Sequence, residues 1–253
     1  MISCLTVTRP SRLLLLELAL GDFAVQTYAD AELVIVHDGD TQFDARVRAL
    51  AQRHPARRIR VHAAEPGASL GTLRNLSVEL AEGELVCQWD DDDRYHPLRL
   101  ELQLAALREQ RAEFCFLADQ LHWFARAGEL YWDDWDLEPY PFNFVQGTLL
   151  GRKATMPRYP ELARGEDTGL VLEIVRNGSG IARLRDRGWA YVYVYHGANV
   201  FPAEHHAAIS RLKRYSGARL LARERELRAR LAEYAPPLGQ VRMPYDAGVL
   251  SIT

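Results

Sequence analysis

Short apolar segments alternate with helix-like segments over the first 111 residues, and this alternation restricts the fold more than any other feature. The apolar segments predict strands at residues 2–8, 33–37, 59–62 and 85–89. Helical spacing predicts helices at about 11–28, 43–53, 71–82 and 97–111. Strand–helix–strand units of this kind form parallel sheets with helices on both faces. We therefore expect an α/β fold.

The rest of the chain is less regular. Strands are predicted at residues 114–118, 121–124, 129–132, 144–150 and 190–195, and helices at 166–176 and over the arginine-rich stretch 203–234. We find no internal repeat and no linker in the sequence. We therefore expect one domain with three parts: residues 1–111, residues 112–201 and an extension over residues 202–253.

Charge and cysteine content exclude several classes of protein. The 31 basic and 34 acidic residues nearly balance, so nucleic acid is not an expected partner. The spacing of Cys4, Cys87 and Cys115 fits neither a disulfide framework nor a zinc site, which favours a reducing cytoplasm. The apolar stretch 13–20 is interrupted by Glu17 and is too short to span a bilayer. We expect a soluble protein whose membrane association is at most peripheral.

Acidic residues follow two of the predicted strands. Asp38 comes after the second strand, and the run 90–93, which consists of four aspartates, comes after the fourth. Ligands bind parallel sheets at these carboxyl ends. In an extended segment Asp90 and Asp92 point the same way, so they could share Mg²⁺ or Mn²⁺. The alternative is a solvated acidic loop that caps the next helix.

Three other features could carry chemistry, and each has a structural alternative. Glu166 and Asp167 open a helix, where a carboxylate can be a general base or only a helix cap. His196 ends a strand and could be structural or a metal ligand. Trp132 and Trp135 lie in an acidic, aromatic stretch that could stack on an acceptor sugar or pack the second sheet.

A series of short motifs occurs in order over residues 1–201. They are Thr6-Val7-Thr8-Arg9-Pro10, Gln26-Thr27-Tyr28, Val36-His37-Asp38-Gly39-Asp40, Gly71-Thr72-Leu73-Arg74-Asn75, the stretch 86–97 with its four aspartates, Gly165-Glu166-Asp167 and His196-Gly197-Ala198-Asn199. Together they resemble the family 2 glycosyltransferases of the GT-A type fold. The resemblance implies a Rossmann-like, mostly parallel sheet with helices on both faces, a smaller mixed second sheet and a C-terminal helical extension.

The resemblance also implies roles for individual residues. Donor-binding residues would be Thr6, Thr8, Arg9, Asp38, Arg74, Asp90 and Asp91, and metal ligands Asp90, Asp92 and His196. Asp167 would be the general base with Glu166 beside it, and Trp132 and Trp135 would contact the acceptor. Without the resemblance, Arg74 would be interpreted as a surface arginine paired with Glu79 or Asp38.

The implied reaction is transfer of a sugar, with inversion, from a nucleotide sugar to an acceptor hydroxyl on a glycan or another molecule. UDP is the expected nucleotide and Mn²⁺ or Mg²⁺ the expected cofactor. Residues 1–111 would bind the nucleotide, and residues 112–201 would hold the acceptor and the catalytic pair. The C-terminal helices could cover the fold, join two copies of the chain or lie on an anionic membrane surface.

Other functions fit single motifs. Asp38-Gly39-Asp40-Thr41 is similar to the nucleophile loop of haloacid dehalogenase-type phosphatases, although it follows the second strand instead of the first. A sugar nucleotidyltransferase would need a glycine-rich loop where this chain has Thr8-Arg9-Pro10. A non-catalytic nucleotide-sugar binder would not need both the acid run and Glu166-Asp167. A dinucleotide-binding dehydrogenase is disfavoured because no G-x-G-x-x-G motif follows a strand.

Overall fold

The structure, a computed structural model, describes residues 1–252. Thirteen strands are described within it: β1 (Ile2–Thr8), β2 (Ala31–His37), β3 (Arg58–Ala63), β4 (Leu85–Gln88), β5 (Arg94–Tyr95), β6 (Phe114–Leu117), β7 (Asp119–Phe124), β8 (Glu129–Asp134), β9 (Leu150–Arg152), β10 (Ile181–Leu184), β11 (Tyr191–Tyr195), β12 (Val241–Tyr245) and β13 (Gly248–Ile252). The α-helices are α1 (Leu13–Ala24), α2 (Thr41–Ala51), α3 (Leu70–Leu80), α4 (Arg99–Glu109), α5 (Glu166–Arg176), α6 (Ala203–Lys213), α7 (Gly217–Leu221) and α8 (Glu224–Leu231).

The larger sheet has seven strands in the order β10-β6-β9-β4-β1-β2-β3. β1, β2, β3 and β4 pair in parallel, as do β6 and β10, and only β9 runs antiparallel to its neighbours. All seven residues of β2 are buried, which requires helices on both faces of the sheet. The mostly parallel α/β fold expected from the sequence is confirmed.

The second sheet has six strands in the order β13-β12-β8-β7-β11-β5. It is mixed, because β7 pairs with β8 antiparallel and with β11 in parallel. β5 follows β4 of the first sheet after only five residues, so the run of aspartates at 90–93 connects the two sheets. We call this run the acid turn. A buried ion pair between Arg94 and Asp22 (2.7 Å) fixes β5 against α1.

The sequence-based assignments fail at three places in the second half. The strand predicted over 144–150 is wrong: a 3₁₀ turn occupies Gln146–Thr148, and β9 begins at Leu150. β10 was not predicted. The extension is helical over α6, α7 and α8, as expected, but it ends in the β12–β13 hairpin, which was not predicted and which adds two strands to the second sheet. In the described part of the chain, the helices are too short or too polar to cross a membrane.

Candidate active site

A cavity of about 430 Å³ lies where the two sheets meet. One side is formed by the acid turn together with Arg12, Arg74 and the loop that leads into α5. The other side is formed by β7, β11, α6 and the 3₁₀ turn that follows β8. We call this second surface the histidine wall and define it by Gln120, His122, Trp135, Tyr193 and His206.

Side-chain exposure alternates along the acid turn. The side chains of Asp90 and Asp92 are 21% and 12% exposed, whereas Asp91 and Asp93 are 1% and 3% exposed. The backbone here is a turn and not the extended segment expected, yet Asp90 and Asp92 are still the more accessible pair.

Asp90 is bound by two neighbours. Its Oδ1 accepts a hydrogen bond from Arg74 Nη2 at 2.9 Å, and its Oδ2 accepts one from Gln88 Nε2 at 2.9 Å. Both carboxylate oxygens therefore have partners within the protein. Each oxygen accepts one hydrogen bond and keeps a second lone pair, so a metal ion shared with Asp92 would bind beside Arg74 or Gln88.

Asp92 lies between a guanidinium and an imidazole. Arg12 Nη1 lies 2.9 Å from Asp92 Oδ2, and His196 Nε2 lies 3.3 Å from the same oxygen. Burial alone would raise the pKa of Asp92, but the hydrogen bond with His196 and the charge of Arg12 together bring it below its ordinary value. Asp92 is therefore ionised at neutral pH.

Asp91 and Asp93 point into the protein. Asp91 accepts a hydrogen bond from Arg12 at 2.9 Å, and burial, followed by the charge of Asp92, raises the pKa of Asp91 to about 7. Asp93 accepts a hydrogen bond from Val194 N at 2.9 Å, and burial raises its pKa well above the usual range. Asp91 was expected to contact the donor, but its side chain holds Arg12 in place inside the turn.

Arg74 connects the acid turn to α5. In addition to Asp90, its Nε donates to Glu166 Oε1 at 2.8 Å, and only 10% of the side chain is exposed. Burial raises the pKa of Glu166, and the positive charge of Arg74 partly opposes this shift. A Cβ on Gly71 would lie 1.8 Å from Pro160 O, so only glycine lets α3 approach the segment before α5 this closely. The alternative pairing of Arg74 with Glu79 or Asp38 is wrong.

Of the two acidic residues that open α5, Asp167 is the accessible one. Gly165 precedes them with φ 73°, a left-handed conformation that favours glycine and turns the chain sharply. Asp167 is half-buried, lines the cavity and accepts a hydrogen bond from Thr168 N at 2.7 Å. Glu166 is only 4% exposed and is paired with Arg74. Asp167 can therefore reach a bound molecule more easily than Glu166.

Four residues expected to bind the donor do not line the cavity. Thr6 is fully buried, and its hydroxyl donates to Trp89 O at 2.7 Å, which links β1 to the chain after β4. Its expected contact with the donor is wrong. Thr8 is also buried, whereas Arg9 is exposed and Asp38 half-buried at the carboxyl ends of β1 and β2. Thr8, Arg9 and Asp38 could meet a ligand only outside the cavity.

The two tryptophans expected at the acceptor have different environments. Trp132 is 1% exposed, stacks on Tyr215 with ring centroids 4.9 Å apart, and donates to Asp119 Oδ2 at 2.6 Å. It is a core residue, and the expectation that it contacts the acceptor is wrong. Trp135 lines the cavity, with Lys213 Nζ 4.8 Å from its ring centroid.

Several cavity residues were not identified from the sequence: Arg12, Gln88, Gln120, His122 and His206. Arg12 follows Pro10 at the start of the first helical segment, where one arginine carries no distinguishing pattern. His122 lies within a buried strand and resembles any other core histidine. Only their three-dimensional neighbours identify them.

Within residues 1–252, no three His, Cys, Asp or Glu side chains are grouped so that they could hold a metal ion by themselves. Asp92 and His196 are nevertheless in contact, and both offer atoms that Mn²⁺ accepts as ligands. Mg²⁺ and Mn²⁺ commonly complete their coordination with water and substrate phosphates. The site thus fits a divalent ion that arrives together with a phosphate-bearing ligand.

Comparison with known proteins agrees with this geometry. Residues 12–132 match the sequence model of glycosyl transferase family 2. The uncharacterized glycosyltransferase YibD of Escherichia coli (strain K12) is 32% identical over 99 residues, which are 36% of this chain and 28% of that protein. This chain therefore aligns with little more than a quarter of that relative.

Solved structures share the fold at low identity. S. aureus TarS 1–349 in complex with UDP-GlcNAc superposes with a TM-score of 0.62 at 18% identity, covering 92% of this chain and 67% of that one. The mannosyltransferase PcManGT from Pyrobaculum calidifontis, in complex with GDP-Man and Mn²⁺, gives a TM-score of 0.60 at 16% identity, covering 93% and 73%. The fold is of the GT-A type, and residues 12–132 are similar to glycosyl transferase family 2.

Proposed function

We propose that this protein transfers a sugar from a nucleotide sugar, with UDP as the nucleotide, to an acceptor hydroxyl with inversion at the anomeric carbon. The observation that carries the proposal is that the acid turn and Asp167 line the same cavity. The acid turn and its neighbouring arginines suit a diphosphate, and Asp167 suits a reacting hydroxyl. Residues 1–111 would supply the donor side and residues 112–201 the acceptor side and the base.

The donor diphosphate would bind beside the acid turn. Arg12 and Arg74 line the cavity there, and guanidinium groups bind phosphate oxygens well. Both arginines are now paired with carboxylates, so an arriving diphosphate would compete for them. TarS with UDP-GlcNAc and PcManGT with GDP-Man support a nucleotide-sugar ligand for this fold.

A divalent ion, Mn²⁺ or Mg²⁺, would be held by Asp92 and His196, with Asp90 beside them. When bound, it would neutralise the charge on the departing diphosphate. The Mn²⁺ bound to PcManGT supports this choice of cofactor.

Asp167 would act as the general base. The acceptor oxygen would attack the anomeric carbon while its proton passed to the Asp167 carboxylate. The bond from the anomeric carbon to the diphosphate oxygen would break, and its electron pair would leave with the diphosphate. Attack from the side opposite the leaving group produces inversion, and the hydroxyl must lie within hydrogen-bond reach of the base.

The structure disfavours the haloacid dehalogenase-type phosphatase, whose nucleophile would be Asp38. Asp38 does not line the cavity, and Asp40 caps α2 by accepting a hydrogen bond from Phe43 N at 2.8 Å. This loop therefore opens α2, and its position outside the cavity disfavours a catalytic role.

Calorimetry tests the proposal directly. UDP, UDP-GlcNAc and GDP-mannose would each be titrated into the protein with Mn²⁺, with Mg²⁺ and with EDTA. We expect UDP binding that needs a divalent ion and that weakens in His196→Ala. Equal UDP affinity in EDTA would exclude the metal, and absence of binding by all three ligands would overturn the proposed function.

A further inference from the structure

The histidine wall contains polar atoms that have no hydrogen-bond partner among residues 1–252. They are Gln120 Oε1, His122 Nε2, Trp135 Nε1 and both ring nitrogens of His206. Gln120, His122 and His206 are 3%, 1% and 3% exposed, so bulk water does not serve them well. Buried polar atoms nearly always have partners, so a group of unpaired ones beside a cavity indicates a ligand that supplies them.

The hydrogen-bonding role of His122 follows from the residues behind it. Its Nδ1 lies 3.0 Å from Asp133 Oδ2 and 3.1 Å from Ser210 Oγ, and Ser210 Oγ also donates to Asp133 Oδ2 at 3.0 Å. An ionised carboxylate only accepts, so the proton of a neutral His122 lies on Nδ1. Nε2 then carries a lone pair and can accept a hydrogen bond from a hydroxyl.

Charge restricts the ligand further. Among the described residues that line the cavity, the arginines and lysines are Arg12, Arg74 and Arg164, and none of them belongs to the histidine wall. Lys213, which lies over the ring of Trp135, is paired with Glu138. Burial lowers the pKa of His206 to about 4, so His206 is neutral at neutral pH. The wall offers hydrogen bonds but has no arginine or lysine to balance a negative charge, which does not suit a phosphate or carboxylate group.

Apolar groups also line the cavity. Val200, Phe201 and Ile209 line it together with the ring of Tyr193. A sugar ring presents hydroxyls at its edge and C–H groups on its faces, and aromatic rings pack against such faces. Neutral polar atoms and apolar surface therefore occur together, as a carbohydrate requires.

We propose that the histidine wall is the acceptor subsite and that it binds an uncharged carbohydrate, with His122 Nε2 and Gln120 Oε1 accepting hydrogen bonds from its hydroxyls. This inference rests on the proposed function, because it assigns the acceptor of the same cavity. If this inference holds, the sugar unit that contacts the wall is neither phosphorylated nor acidic.

The test is binding of the full chain, with UDP and Mn²⁺ present, to an array that carries neutral oligosaccharides and their phosphorylated and carboxylated counterparts. His122→Asn keeps an N–H that can donate to Asp133 but removes the acceptor at Nε2. Gln120→Leu removes the second acceptor at similar volume. Ser210→Ala is the matched control, because Ser210 contacts His122 and Asp133 but does not line the cavity.

We expect wild type and Ser210→Ala to bind neutral glycans, and His122→Asn and Gln120→Leu to lose at least tenfold in affinity. UDP affinity, measured on the same samples, should not change, which shows that each variant is folded. Three results would overturn the inference: wild type binds only acidic glycans, both variants bind neutral glycans as well as wild type does, or wild type binds UDP but no neutral glycan. Absence of UDP binding by wild type would instead overturn the proposed function.

Discussion

The two sides of the cavity differ in how most of their polar groups are paired. On the side of the acid turn, carboxylates are matched by cations: Arg12 pairs with Asp91 and Asp92, and Arg74 pairs with Asp90 and Glu166. On the histidine wall, buried polar atoms have no partner within residues 1–252. Ion pairs within the protein therefore hold the side chains of the acid-turn side in place. The histidine wall instead has buried polar atoms that a ligand could hydrogen-bond. Under the proposed function, this difference agrees with a charged donor on one side and a neutral acceptor on the other.

Asp167, next to the charged side but not part of its ion pairs, gives the largest expected effect. Asp167→Asn should lower turnover by about 10²–10⁴-fold, because a positioned general base contributes that much to rate. Asn can still accept the hydrogen bond from Thr168 N, so folding and UDP affinity should not change. Rates of sugar transfer, or of slow donor hydrolysis if no acceptor is known, measure the effect. Turnover equal to wild type would exclude Asp167 as the base.

Arg74 tests whether the charged side depends on its internal ion pairs. Arg74→Ala leaves Asp90 and the buried Glu166 without their cation, and loss of one partner of a buried pair costs about 3–5 kcal/mol. Urea denaturation gives the change in the free energy of unfolding. Arg158→Ala is the control, because Arg158 pairs with Glu79 on the surface and should change stability by less than about 1 kcal/mol. Similar losses in both variants would show that the internal pairs do not hold this side together.

The difference between the two sides also explains which parts could be predicted from sequence. β1, β2 and β4 are short apolar runs, and acidic residues follow β2 and β4. This local pattern can be recognised in the sequence without knowledge of tertiary contacts. Arg12 could not be found, because its partner Asp91 is 79 residues away. The contacts of the histidine wall join residues even further apart in the sequence, because His122 and Ser210 are separated by 88 residues. The β12–β13 hairpin was missed because its place in the second sheet depends on pairing with the distant β8.

Asp119, in the second half of the chain, is a buried carboxylate that forms no ion pair with an arginine among residues 1–252, and its effect on stability should depend on pH. Its donors, Trp132 Nε1, the Tyr215 hydroxyl and the backbone N–H groups of Arg187 and Gly188, are neutral, and burial raises the pKa of Asp119 to about 6. The folded state therefore binds more protons than the unfolded state between about pH 4 and pH 6, so stability falls as pH rises through this range.

Two pKa units correspond to about 3 kcal/mol. Because Asn does not titrate, the stability of wild type relative to Asp119→Asn should decrease by about this amount between pH 4 and pH 7. Denaturation at several pH values measures the difference. A constant difference would mean that Asp119 keeps an ordinary pKa and that neutral donors stabilise its charge as well as arginines do.

The two tryptophans give the smallest and most selective test. Trp132→Phe removes the donor to the buried Asp119 and should lower the free energy of unfolding by about 1–3 kcal/mol. Trp135 Nε1 has no partner within residues 1–252, so Trp135→Phe leaves no protein group unpaired and should cost less than about 1 kcal/mol.

If Trp135 contacts the acceptor, its variant should raise the acceptor KM while donor KM and stability stay near wild type. Trp132→Phe should do the reverse, with reduced stability and normal acceptor KM. A raised acceptor KM in Trp132→Phe alone would contradict an acceptor site in this cavity, because Trp132 is buried and Trp135 is the tryptophan that lines it.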